Sequence, residues 1–516
     1  MKNDYGQYFT PMHIARMMVG CITAAKEAPI LEPSAGEGVF LDALYEAGFS
    51  NYIGVEIDLR LQQKSNHKVE HASFVSWKPS EKYAGIIGNP PYIRWKHLEP
   101  ELQLELKRHH LWGKLFNPLS DYLSVFIANS IEHLMPRGEL VFITPSFWMH
   151  TLHSAPLRDW ILTQGVVTEI IDFGEAKVFD GVSSAIVIFK FVKDSAQSTI
   201  SYWKYIGGRK VSADVELDSQ KHFQSLTIPS FQPGKHWTLA DAKTQSVVEE
   251  VEKVAMRTSD EYLFDIPQIA RLGDYVSIAN GMVSGLDKAF RFDHAEDFKL
   301  TADEQKCLMK VAKAKDLDSL RPKAFSAYID IPVGLSEKEV QIRYPNFVTQ
   351  LMPYKKQLLS RYSYGRELPI WEWAFRRSEK FLVSNTPKIF VPCKERMTNR
   401  RTARFALVDG GIVATQDVTA LAPLDTTRES IEYILAYLST IQVSEWIRVR
   451  GLMKGGIAEF SEKPLSDIPF RFIDWNDPIE VEFHNRITEE VSAYLKSTMN
   501  SEEFINAISK EFKDFN

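Results

Sequence analysis

Asn89-Pro90-Pro91-Tyr92 follows directly on a short apolar run, Tyr83–Gly88. Neither proline has a backbone N–H and both fix φ, so a strand cannot continue through them and an ordinary helix cannot begin there. The residue types suit one chemical task, methylation of an exocyclic amine conjugated to a ring. The lone pair of such a nitrogen is delocalised, which makes it a poor nucleophile. The Asn89 side-chain oxygen and the Pro90 carbonyl offer one acceptor for each N–H, which would localise the lone pair toward an incoming methyl group. Tyr92 offers a flat face on which a base can stack once it has left its duplex. Asn89, Pro90 and Tyr92 are therefore the candidate catalytic residues.

The donor must be held nearby. In Leu31–Phe40, LEPSAGEGVF, a glycine-rich turn joins a strand to a helix, an arrangement that lets a ligand approach the backbone. The spacing is not GxGxxG, and Glu32 at the strand end would repel a pyrophosphate while suiting an amine or a sulfonium. The next strand ends in Glu56, placed to accept both hydroxyls of a ribose. Ser73-Phe74 then brings an aromatic that can lie on an adenine face. Together these features suit S-adenosylmethionine better than ATP, for which a phosphate-binding lysine is missing. The three cysteines, Cys21, Cys307 and Cys393, form no ligand spacing, so no metal is expected.

These residues need a scaffold of alternating strands and helices. Thr10-Pro11 reads as N-cap and N1 of a helix running toward Lys26. Strands are expected at Pro29–Leu31, Tyr52–Ile57, Ala72–Trp77, Ala84–Gly88, Gly138–Pro145, Val166–Phe173 and Ser184–Val192, with helices from Gly38 to Ala47 and from Asp121 to Met135. The rhythm predicts a Rossmann-like α/β fold, a mainly parallel sheet with helices on both faces. Ile228–Trp237 breaks the pattern with two prolines and a glycine, which sets the expected domains at 1–235 and 236–516. The second domain reads as mixed α+β, ending in a helical tail over Val481–Phe512.

The 516 residues carry a net charge of −6, but its distribution is uneven. Thirteen lysines and arginines face four glutamates between Pro353 and Phe405, with Tyr354, Tyr362, Tyr364, Trp371 and Trp373 interleaved. This reads either as a solvated face or as a groove for a phosphate backbone, with Arg376, Arg377, Lys394, Arg396, Arg400 and Arg401 as the candidate DNA-binding residues. Cysteine usage and the lack of an apolar leader or membrane-length run lead to the expectation of a cytoplasmic protein, nucleoid-associated through DNA and without a membrane partner.

GQYFTP at Gly6–Pro11, LEPSAGEG, GVEID at Gly54–Asp58 and NPPY resemble, in order, motifs X, I, II and IV of the gamma-class DNA adenine-N6 methyltransferases. VFDGVSSAIVIF at Val178–Phe189 is similar to motif VIII. Leu272–Phe290, Pro387–Pro392, Ile412–Leu421 and Gly455–Phe470 resemble the Taq-like specificity domain. The resemblance implies an S-adenosylmethionine-dependent methyltransferase sheet followed by a target-recognition domain, acting as a monomer on double-stranded DNA, with a separate cognate restriction endonuclease as a partner. By position, Thr10 would touch the methionine part of the cofactor, and Glu32, Ala35, Gly36 and Gly38 would form its pocket. Glu56 would hold the ribose, Ile57 and Phe74 would sandwich the adenine, and Phe179 would cover the second face of the flipped base. Ser73 departs from the aspartate that many members carry there to bind the adenine amine. Amine and amide methylators share this corner, so an RNA or protein-glutamine methyltransferase is the alternative reading. It leaves the basic, aromatic second half without a task.

Overall fold

The computed structural model describes residues 9–516 apart from 63–65, 94, 117–121, 150, 175, 180–184, 218–219, 235–236, 258–267, 363–364, 399 and 455. Gly6–Tyr8, Glu175, Asp180–Ser184 and Tyr364 thus lie outside the described residues. The chain divides into two compact units, 1–245 and 246–516.

The first unit is built on a nine-stranded sheet: β1 (Ile30–Glu32), β2 (Tyr52–Glu56), β3 (Val69–His71), β4 (Tyr83–Gly88), β5 (Leu134–Pro145), β6 (Gly165–Gly174), β7 (Ile186–Lys193), β8 (Thr199–Tyr205) and β9 (Phe223–Pro229). Their spatial order is β3-β2-β1-β4-β5-β7-β6-β8-β9. The first five run parallel. β7 then enters antiparallel between β5 and β6. β8 is parallel to β6, and β9 closes the edge antiparallel. The sheet is thus mainly parallel, as expected, with five parallel pairings of eight; β7 and β9 run against the rest because the β6–β7 and β8–β9 returns are made without a crossover helix.

Period-two alternation splits the apolar residues of the strands between two layers. In β5, Leu140 and Phe142 face one layer and Val141 and Ile143 the other. Helices α1 (Met12–Gly20) and α2 (Val39–Glu46) cover the second. A single turn, α3 (Leu59–Gln62), follows β2. Helices α4 (Pro100–Lys107), α5 (Tyr122–His133) and α6 (Ala155–Gln164) cover the first layer.

Three local expectations are corrected. Helix α1 starts at Met12 with Pro11 in the N-cap position and stops at Gly20. Beyond it the Thr23 N–H bonds the Glu139 carboxylate 2.7 Å away, which draws the chain out of the helix. Ala72–Trp77 is a turn instead of a strand. The buried Asn129 amide donates to the carbonyls of Phe74 and Val75, both at 3.1 Å, replacing the ladder bonds a strand would have made. The tail is two helices, Pro478–Leu495 and Ser501–Phe515, with Asn500 capping the second.

The second unit combines short sheets with helices, and strand and helix residues share its cores. β10 (Met256–Arg257) pairs with β11 (Gln268–Ile269). β12 (Val276–Asn280), β13 (Leu308–Ala312), β14 (Ser326–Ile329), β15 (Lys388–Pro392), β16 (Lys394–Arg396), β17 (Ala406–Val408), β18 (Val413–Ala414), β19 (Val418–Pro423), β20 (Met453–Lys454) and β21 (Ile457–Glu459) follow. They form the sheets β12-β19-β15-β17, β14-β13-β18 and β16-β21-β20. Tyr433, Phe483 and Phe512, from three helices, meet in a buried aromatic cluster. Among the described residues no helix is long and apolar enough to cross a membrane.

Candidate active site

A β-sheet whose order reverses about one strand leaves a crevice beyond the carboxyl ends of the strands at that point. Here β1 is that strand, between β2 and β4. Its register, Glu32 beside Gly54 and Leu31 beside Ile86, brings the ends of β1, β2 and β4 to one edge. Glu32, Glu56 and Asn89 are carried there together, and all three line one cavity of about 250 Å³.

The turn after β1 is shaped by two glycines with positive φ, Gly36 at 54° and Gly38 at 94°. Gly38 takes the N-cap position of α2 in the left-handed region, which a side chain disfavours. The Gly36 N–H points back and donates to Glu56 Oε2 at 2.7 Å, while the Asp58 N–H holds Oε1 at 2.8 Å. Both oxygens of Glu56 are thus oriented by backbone. Burial raises its pKa, and the N–H groups of Asp58 and Gly36 oppose that rise.

Glu32 is in a harsher place. It is 1% exposed, and its Oε2 has no hydrogen-bond partner among the described residues. Desolvation, then the nearby Glu56 and Asp42 charges, push its carboxyl well above the usual carboxylate range. A buried acceptor without a donor is costly and implies a missing group that supplies one. Glu37 also lines the cavity, and among the described residues no lysine or arginine does. Three carboxylates and no base select for a cation and against phosphate.

The rest of the wall is apolar. Thr10, Ala35, Ile57 and Phe74 line it. Thr10 accepts from Asn89 Nδ2 at 3.1 Å, tying the chain before α1 to the proline corner. The Asn89 backbone carbonyl accepts from Ser34 Oγ at 3.2 Å. The Tyr92 hydroxyl meets Asn89 Oδ1 and also lies 2.8 Å from the Ile143 carbonyl at the end of β5. The asparagine is therefore gripped at both ends of its amide. Pro91 faces the cavity beside it, and Pro90 is buried.

Five expected residues are not among those that line the cavity: Pro90, Tyr92, Gly38, Ser73 and Phe179. Gly38 acts through the backbone turn. Ser73 donates to Glu105 Oε2 at 2.8 Å. Phe179 is 4% exposed and packed in the layer beneath α1 and α2, so its ring is a core element in this structure. The sequence reading missed Tyr122 and Phe126, which line the cavity from α5, and Leu102 from α4. The i, i+4 spacing of the two aromatics is the one signal that marked a shared face.

In the second unit the basic residues separate into two kinds. Arg376 is held between Asp330 and Glu379, which keep its guanidinium charged and occupied despite burial. It is a structural ion pair, not a free cation as the charge count suggested. Arg400 lies 3.2 Å from the buried Glu395. Arg377 bonds the Gly281 carbonyl, and Arg401 bonds Asn506. Lys394 and Arg396 flank Glu395 on β16, so alternation turns both outward while Glu395 turns in.

Among the described residues, His109, His110 and Glu132 group metal-type donors within 4.8 Å. His109 is already committed, Nε2 to Asn129 Oδ1 at 2.7 Å and Nδ1 to the Leu111 N–H at 3.3 Å. It serves the clamp on the Phe74 turn.

Residues 39–179 match the family described as Eco57I restriction-modification methylase. The chain is 40% identical over 499 residues to the type II methyltransferase M.HindII of Haemophilus influenzae, covering 96% of this chain and 95% of that one. It is 38% identical to M.HincII of Haemophilus influenzae over the same shares. Among solved structures, the type IIL restriction-modification enzyme MmeI in complex with DNA aligns with a TM-score of 0.55, covering 97% of this chain and 71% of that one at 12% identity.

Proposed function

We propose a specific reaction for this chain, which belongs to the type II restriction-modification DNA methyltransferases: methyl transfer from S-adenosylmethionine to N6 of an adenine flipped out of a specific duplex sequence. S-adenosylmethionine is its methyl donor. The residues present fit that donor, because the cavity offers a partnerless carboxylate oxygen at Glu32, a pre-oriented carboxylate at Glu56 and, among the described residues, no lysine or arginine to attract phosphate. Glu32 and the Ala35–Gly38 turn would hold its charged amino acid part with Thr10, Glu56 its ribose, and Ile57 and Phe74 its adenine. When bound, the donor supplies an electrophilic methyl group on a positively charged sulfur.

The observation that carries the reading is the presence of Asn89 in that same cavity, held by Thr10 and Tyr92 at the end of β4. The Asn89 oxygen has two acceptor sites, and the Ile143 carbonyl offers the Tyr92 hydroxyl a second partner. One N–H of the substrate amine is accepted by Asn89 and the other by the Pro90 carbonyl. The fixed corner positions the nitrogen for in-line displacement, so catalysis comes from placement. The Tyr92 ring stacks on the extruded base.

For the duplex, the outward Lys394 and Arg396, with Arg377, Arg400 and Arg401, are the phosphate contacts we assign. Arg376 is excluded because it is held between two carboxylates and is only 17% exposed, whereas Arg400, beside Glu395, stays 40% exposed. The enzyme acts as a monomer beside a separate cognate endonuclease. Expression in a methylation-free host followed by base-resolved sequencing should show N6-methyladenine at one recurrent site. Methylation on cytosine, or none on DNA, would refute the proposal.

A further inference from the structure

A second cavity in the first unit, of about 910 Å³, has no task in the reaction described above. It is walled by Trp77 from the turn after β3, by His109 and His110 just past α4, and by Asn129 and Glu132 from α5. Three of these residues, His109, His110 and Glu132, each bring one donor atom within 4.8 Å of the other two. The carboxylate comes from a different element than the imidazoles, so the group is assembled only by the fold.

The hydrogen bonds around His109 decide which of its nitrogens is open to a cation. The Asn129 amide gives its N–H groups to the carbonyls of Phe74 and Val75, so its oxygen, 2.7 Å from His109 Nε2, can only accept. Nε2 therefore carries the ring proton. Nδ1 holds the lone pair, and it accepts from the Leu111 N–H in a long bond of 3.3 Å. A histidine that donates one ring N–H to an acceptor while ligating through the other nitrogen is the common arrangement of metal sites, because the first bond fixes the tautomer. Asn129 already gives His109 that support. Coordination at Nδ1 would cost the long Leu111 bond and leave the clamp on the Phe74 turn in place.

The other two ligands need little movement. His110 Nε2 and Glu132 Oε1 are 2.7 Å apart. Two ligands at about 2.1 Å from a tetrahedral zinc stand about 3.4 Å from each other, so this pair has to part by roughly 0.7 Å. Both side chains have room, being 61% and 30% exposed. Two imidazoles and one carboxylate suit a borderline cation such as zinc, whereas magnesium and calcium prefer oxygen ligands throughout.

We propose that His109, His110 and Glu132 form a binding site for a divalent transition metal of the zinc class, which staples the turn after α4 to the end of α5. None of the three lines the cofactor cavity, so the metal is separate from methyl transfer and acts on stability. The test uses the full chain, stripped of metal by dialysis against a chelator and then titrated with zinc chloride in competition with a chromophoric chelator. Wild type should bind one equivalent at micromolar zinc or below, and a large excess of magnesium should not displace it. His110→Ala and Glu132→Gln should each weaken that equivalent by roughly tenfold or more. Zinc should raise the melting temperature of wild type and leave that of His110→Ala unmoved. The exposed position of His110 lets His110→Ala fold, which equal melting temperatures without metal would verify. Glu132→Gln keeps the backbone carbonyl that accepts from Lys82, and so guards against a folding defect in the first variant. An equivalent that survives in both variants would put the metal elsewhere, at a cysteine or in the acidic cofactor cavity, and would overturn the proposal. Binding seen only at millimolar zinc would overturn it as well.

Discussion

Glu32→Gln tests the site most directly, because it removes a charge without changing shape. In the free protein the carboxyl is buried, lacks a partner at Oε2 and lies among other acids, so its pKa is raised, first by desolvation. The sign of the stability effect follows from proton counting. As pH rises through the ordinary carboxylate range, the unfolded chain ionises first while the folded one stays protonated, so this residue costs stability with rising pH. The cost levels off only once the folded-state carboxyl ionises too. Glutamine cannot ionise, and Glu32→Gln should therefore melt higher than wild type under mildly alkaline conditions in the absence of ligand. A cationic ligand reverses the balance by stabilising the carboxylate. Binding S-adenosylmethionine should then release a proton in the window between the ordinary carboxylate pKa and the raised one. Isothermal titration in two buffers of different ionisation enthalpy would read that release as a difference in apparent heat. Hydrogen bonds to a charged group contribute about 1.5–3 kcal/mol, so Glu32→Gln should weaken binding roughly ten- to hundredfold and abolish the buffer dependence. Wild-type heats that agree in both buffers, with unchanged affinity in the variant, would refute the reasoning.

Asn89→Ala should lower kcat by roughly 10²–10³, the usual cost of one lost transition-state contact, while duplex and cofactor affinities measured by titration stay close to wild type. Phe179→Ala should destabilise the protein by about 3–5 kcal/mol in denaturant titrations, because its ring is core. Wild-type stability combined with weakened base capture would instead return Phe179 to the role its motif suggested. Replacing Lys394 and Arg396 together with alanine should flatten the slope of log K against log salt by about 1.8, from two lost phosphate contacts, whereas Arg376→Ala should chiefly reduce stability.

What the sequence disclosed was chain-local. The Asn89–Tyr92 corner and the Gly36–Gly38 turn follow from residues adjacent to one another, and their strand ends were placed correctly by period and punctuation. The Ala72–Trp77 turn was read as a strand because its apolar residues look like one. The Asn129 side chain that makes a turn possible comes from more than fifty residues away. Tyr122 and Phe126 carried little signal, since nearly all of α5 is buried and no face stands out. Counting charge along the chain overrated Arg376, whose partner Asp330 lies 46 positions earlier. Sequence proximity reveals sign, and only the fold reveals which charges are already neutralised.

The strand Ile30–Glu32 is three residues long, yet it pairs with β2 on one side and β4 on the other. It is the seam of the sheet. Any partial opening that parts β2 from β4 must tear along it, and would pull Glu32 away from Glu56 and Asn89 in the same movement. A ligand held by all three works as a rivet across that seam. Amide exchange over residues 30–88 should slow in step with ligand concentration, while the distant β8–β9 edge keeps its own pace.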